Sequence, residues 1–145
     1  MQTLQANDLH VVRDFAPEIV ILEIGTNDLT HTSPEMVGSN IEDFVCLLKR
    51  EFSVCAIGVC GVIPLGISVP HAMSFWHNAS VLNQYVGVVL DDFANVFCWS
   101  HSEFNSPHKD LYLRDGVLVN PTGQYLLYWS YCGTILMALG LLGAN

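Results

Sequence analysis

Apolar and polar residues fall into blocks along this chain, and the most ordered block is Pro17-Glu18-Ile19-Val20-Ile21-Leu22-Glu23-Ile24-Gly25-Thr26-Asn27-Asp28. From Ile19 to Ile24 only Glu23 is polar. An apolar run of that length, bounded by Pro on one side and Gly-Thr-Asn-Asp on the other, predicts a buried strand. Pro17 suits the strand's entry, where no ladder N–H is needed. Gly25 permits a sharp turn at the carboxyl end. Ahead of this strand, Leu4, Leu9, Val12, Phe15 and Ala16 share one helical face, which predicts a short amphipathic helix.

After the strand, Ser33-Pro34-Glu35 supplies an N-cap, a proline at the first helical position and an acid in the first turn. Met36, Val37, Ile41, Phe44, Val45, Leu47 and Leu48 carry the helical stripe to about Glu51. Ser53 to Ile63 reads as a second buried strand ending at Pro64, and Leu65 to Pro70 as a loop. His71 to Asp92 has the spacing of a long helix, and Asn95 to Trp99 that of a third, short strand. Ser100 to Arg114 is polar and irregular, Asp115-Gly116 marks a turn, and Asn120-Pro121 starts a helix that runs to about Leu142.

Strands alternating with helices predict an α/β fold, a parallel sheet with right-handed crossovers and helices on both faces. The 145 residues suit one domain. The last helix holds eighteen residues without a charge, Tyr125 to Leu142, which meets the minimum length of a membrane span. Ser130, Gly133, Thr134 and Gly140 interrupt it and no Lys or Arg follows it, so a helix packed on the sheet is the expectation, with no membrane association.

Composition narrows the function classes. Hydrophobic residues make up 51% and charged residues 13%, enough to fill a core. The net charge of −9, with five Lys and Arg in total, repels phosphate backbones and anionic lipid, so no nucleic-acid partner is expected. Cys46, Cys55, Cys60, Cys98 and Cys132 are odd in number and form no CxxC pair. They read as free thiols of a reducing, cytoplasmic compartment. No basic segment followed by an apolar one opens the chain, so no secretory signal is expected. His10, His71 and His77 show no ligand spacing with a Cys or carboxylate, and neither a metal nor another cofactor is expected.

The candidate chemistry sits at the end of the first strand. Open α/β sheets bind ligands beyond the carboxyl ends of their strands. Asn27 would offer an amide donor there and Asp28 a carboxylate to brace the loop. The same residues also read as an Asx-type turn with no chemistry.

Two blocks carry a resemblance. Gly25-Thr26-Asn27-Asp28 after a buried strand resembles the GxND block of the SGNH (GDSL-type) hydrolases. Asp115-Gly116-Val117-Leu118-Val119-Asn120-Pro121-Thr122-Gly123 resembles their last block, DxxH, followed by a helix. The whole chain is similar to the C-terminal two-thirds of such an esterase domain, and Pro17 to Asp28 is similar to the esterase domains of some LINE-like retroelements.

The resemblance implies ester hydrolysis on a flavodoxin-like three-layer α/β/α fold, strand order 2-1-3-4-5, with about three strands and four helices present. A Ser in a GDS block attacks the ester carbonyl, with the last-block His as base and its Asp as orienting partner. Residue by residue, Asn27 would be an oxyanion-hole donor, Asp115 the triad acid, Gly25 the turn that aims Asn27, and Asp28 the brace.

The departures are as informative. No Gly-Asp-Ser occurs, and Leu118 stands where the DxxH histidine belongs. The resemblance therefore implies a single domain over residues 1–145 that is incomplete at its N-terminal side and without useful esterase activity. His101 and His108 lie in the loop before Asp115, and Ser33, Ser100, Ser102 and Ser106 are the hydroxyls from which a substitute dyad could be built. Lacking its neighbouring strands, Ile19 to Ile24 would be an exposed apolar edge and a site of self-association. The implied partner, were the domain completed, is a small ester. The alternatives to a hydrolase are a non-catalytic interaction module and a retroelement relic.

Overall fold

The computed structural model describes residues 9–106 and 110–143. His108 and the predicted helix up to residue 8 lie outside them. The elements run α1 (Leu9–Phe15), β1 (Ile19–Leu22), α2 (Pro34–Glu51), β2 (Ala56–Cys60), α3 (Ala72–Leu90), β3 (Val96–Trp99) and α4 (Pro121–Gly143). Short 3-10 turns follow β1 (Asp28–Thr30) and β3 (Ser102–Phe104). The three strands are parallel, in the order β1-β2-β3, with Leu22 beside Val59 and Cys60 beside Trp99. This is the predicted flavodoxin-like α/β architecture.

Local sequence sets the element ends. Ser33 is in extended conformation and its hydroxyl accepts the Met36 N–H at 3.4 Å, so α2 starts at Pro34 as an N-cap with proline behind it should. Asn120 caps α4, its Oδ1 accepting the Gly123 N–H at 2.9 Å. The strands are shorter than their apolar runs. β2 holds five residues rather than the eleven from Ser53 to Ile63. Beyond it the Asn83 side chain takes over the backbone pairing, accepting the Val62 N–H at 2.8 Å and donating to the Val62 carbonyl at 3.0 Å.

The alternation of strand side chains divides the molecule. Val20, Leu22, Ile57, Val59 and Val96 point to one face, where α1, α2 and α3 cover them. Val37, Ile41, Phe44, Val45 and Leu48 of α2 and Phe75, Leu82, Val86 and Leu90 of α3 are buried there. The other face belongs to α4. A Cβ on Gly58 would lie 2.7 Å from Phe97, 2.9 Å from Ile21 and 3.1 Å from the Thr134 methyl, so only glycine lets α4 come this close to the sheet. Of α4, only Gly123, Thr134 and Ala138 are buried. Tyr125, Tyr128, Trp129, Ile135, Leu136, Met137 and Leu139 remain exposed. By length and composition α4 alone among the described helices is long and apolar enough to cross a membrane. In this fold its small residues lie on the sheet.

Candidate functional site

Gly25, Asn27 and Asp28 follow the carboxyl end of β1, and Asp115 belongs to a separate loop bonded to the segment after β2. Gly25 adopts φ +107°, a conformation that a side chain would strain, and a Cβ there would meet Leu82 and Val62 at 3.3 Å and Val37 at 3.5 Å. The turn it makes is closed by the Leu29 N–H on the Gly25 carbonyl at 3.0 Å. Asn27 heads the 3-10 turn, with its side chain exposed and making no capping bond, while its carbonyl accepts the Thr30 hydroxyl at 2.6 Å. Its amide therefore faces solvent, free to donate. Asp28 is half-buried in the same turn.

Asp115 lies at the tip of a small antiparallel hairpin in which Tyr112 pairs with Val119. The Leu113 N–H bonds the Leu118 carbonyl at 2.7 Å, and the Asn120 N–H bonds the Leu111 carbonyl at 2.8 Å. Asp115 Oδ1 accepts the N–H groups of Val117 at 2.9 Å and Leu118 at 3.0 Å. The carboxylate thus closes its own loop. Leu118 is exposed beside it. The hairpin is pinned to the segment after β2 by the Gly66 N–H on the Gly116 carbonyl at 2.7 Å, and by the Tyr112 hydroxyl, which donates to the Pro64 carbonyl. Burial pushes the Tyr112 phenol up to about 12. Since Gly25 packs on Val62 and Gly116 bonds Gly66, one stretch of chain carries both blocks.

A second constellation lies between the sheet and α4, and none of the loop serines supplies it. His101 is 3% exposed. Its Nδ1 meets Ser130 Oγ at 2.8 Å and its Nε2 meets Glu23 Oε2 at 3.1 Å. Ser130 Oγ also accepts the Trp99 indole N–H at 2.8 Å, and the Tyr131 hydroxyl donates to Glu23 Oε2 at 3.2 Å. A carboxylate only accepts, so the imidazole donates from Nε2 to Glu23, and in the neutral ring Nδ1 accepts from Ser130. Cys60 completes the cluster. Its thiol is pushed up to about 12, by burial first and then by the Glu23 charge. The Tyr131 phenol is pushed up for the same two reasons. Histidine spacing alone did not point here, because the donors come from three strand ends and a helix. Glu23, the one polar residue of its apolar run, was the available signal.

Beside this cluster a cavity of about 350 Å³ is lined by Trp99, His101, Phe104, Leu126, Trp129 and Ser130, among others.

The exposed amide after β1 and the aspartate hairpin before α4 thus sit on a three-layer α/β/α domain. The chain belongs to the GDSL-like Lipase/Acylhydrolase family, whose profile matches residues 1–128. No curated protein sequence matches it. Among solved structures it is similar to a protein described as a GDSL-like lipase from Parabacteroides merdae, with a TM-score of 0.68 and 18% identity over 97% of this chain and 66% of that one. It is also similar to a protein described as a platelet activating factor from Streptococcus pneumonia, with a TM-score of 0.65 and 17% identity over 77% of this chain and 56% of that one. The chain spans between half and two-thirds of the length of these relatives.

Proposed function

We propose that this is an acyl-ester hydrolase domain whose own 145 residues leave the acyl-transfer machinery incomplete. The observation that carries this reading is the Asp115–Leu118 hairpin. The aspartate accepts two backbone N–H groups of its own loop, and the residue in the base position is a leucine with no atom to take a proton. Asn27 supports the ancestral chemistry, as an exposed amide able to donate to an oxyanion, with Gly25 setting the turn and Asp28 bracing it. Removal of a triad member costs about four powers of ten or more in rate. A small ester is the substrate class that a serine-bearing strand beside β1 would serve. The purified chain is expected to release no p-nitrophenol from p-nitrophenyl butyrate above buffer. Steady release blocked by a serine-directed phosphonate would overturn the reading.

A second reading, an interaction module, is favoured by β1. Among the described residues it pairs only with β2, and the outer surface of α4 is apolar. A second copy pairing along Ile19–Leu22 would satisfy that edge. Light scattering behind size exclusion should then give a dimer at tens of micromolar, and a monomer would count against it. Five free thiols support a reducing intracellular setting, and the likeness of Pro17 to Asp28 to retroelement esterase domains supports a mobile-element origin.

A further inference from the structure

Three donor side chains converge under α4 that the acyl-transfer reading does not use. Glu23 follows β1, Cys60 ends β2 and His101 lies two residues past β3. The register that pairs Leu22 with Val59 sets Glu23 alongside Cys60, and both point to the α4 face. One ligand atom from each of the three residues lies within 4.8 Å of the others, and Cys60 and His101 are buried. We propose that Glu23, Cys60 and His101 form a binding site for a thiophilic divalent cation, with zinc the ion that the donors select.

Zinc accepts thiolate, imidazole and carboxylate at about 2.0–2.3 Å, which places the donors roughly 3.3–3.5 Å apart; the His101 and Glu23 donors are already 3.1 Å apart, so closure by up to about an ångström falls to the Cys60 sulfur. The mixed S, N and O set disfavours magnesium and calcium, which take oxygen. Charge favours the divalent ion, because one thiolate and one carboxylate neutralise it in an interior that penalises net charge. On binding, the Cys60 proton leaves to solvent and the cation replaces the proton between Nε2 and Glu23. The ring proton then sits on Nδ1 and donates to Ser130 Oγ, already 2.8 Å away and held by the Trp99 indole. A metal-bound histidine needs such an outer partner to fix its tautomer and orientation. The Tyr131 hydroxyl holds the Glu23 carboxylate in the same way.

The test uses the whole chain, stripped by chelator and titrated with Co²⁺ and then Zn²⁺. The site predicts one Co²⁺ per chain, a thiolate-to-cobalt absorption band displaced by Zn²⁺, and a rise in Tm with Zn²⁺ but not with Mg²⁺. Cys60→Ser should remove the band, Ser130→Ala should weaken Zn²⁺ binding about 10–100-fold, and Cys55→Ser, at an exposed thiol elsewhere, should change nothing. A folded wild-type chain with no band, or a band that survives Cys60→Ser, would overturn the site. Should Cys60→Ser fail to fold, Glu23→Gln decides, because its side chain is 37% exposed and the change removes one ligand charge. Unchanged Zn²⁺ affinity in that variant would also overturn the site.

Discussion

The two faces of the sheet are built on different physics. The buried core of the face under α2 and α3 is aliphatic and aromatic, with Phe44, Leu48, Ile57 and Leu82 almost wholly out of water. The face under α4 carries both buried polar residues among those described, His101 and Thr134, each with a hydrogen-bond partner. Its helix buries small residues and turns large apolar ones outward, the reverse of an ordinary amphipathic helix. The first face holds the fold together. The second carries a buried polar cluster and an exposed apolar helix surface.

This contrast can be broken at several points, the largest effect first. Phe44→Ala should cost about 3–5 kcal/mol in chemical denaturation, since a buried ring leaves a cavity among residues that cannot collapse onto it. A loss below about 1 kcal/mol would mean that the α2 face is not the closed core described. On the other face the sensitive position is a glycine. Gly58→Val forces Phe97, Ile21 and Thr134 apart and should destabilise by about 1–3 kcal/mol by overpacking, moving α4 off the sheet and raising tryptophan emission changes near Trp99.

Tyr112→Phe comes next, at about 1–2 kcal/mol, because it strands the Pro64 carbonyl that the hydroxyl now satisfies. It also carries a pH signature. The folded phenol sits at about 12 against an ordinary value near 10, so the native state holds the proton more tightly than the unfolded chain. That contribution is fully present below about pH 10 and is lost as pH rises from about 10 to 12. Removing the hydroxyl should make the alkaline part of the stability profile shallower. Smallest of all, Leu136→Ala on the exposed side of α4 should change stability by no more than about 0.5 kcal/mol. A cost comparable to that of Phe44→Ala would show that the helix is buried in solution, in a self-associated form.

Much of the first face was legible in the sequence. Ser33-Pro34 set the start of α2, and the stripe from Met36 to Leu48 named its buried side apart from Met36 itself, which is exposed, because both signals are local. The turns at Gly25 and at Asp115-Gly116 were legible for the same reason, but the Tyr112–Val119 pairing that makes the second a hairpin was not. Strand lengths were not, since an apolar run such as Ser53 to Ile63 does not say where its ladder stops, and Asn83, more than twenty residues away, ends it. Nor was the polar cluster legible. Glu23 and His101 are 78 positions apart and meet only once β1, β2 and β3 are set in register. The candidate hydroxyls Ser33, Ser100, Ser102 and Ser106 all lie outside α4, whereas the one His101 meets is Ser130, one of the few polar residues of that otherwise apolar helix.

The central claim is that this hydrolase scaffold holds no activated serine. The most direct measurement treats the whole folded chain with a fluorophosphonate probe and follows it by intact-mass and peptide analysis. The account predicts an unmodified mass after prolonged incubation. A stoichiometric adduct on a single serine, at Ser130 or anywhere else, would contradict it and would locate the nucleophile in the same experiment.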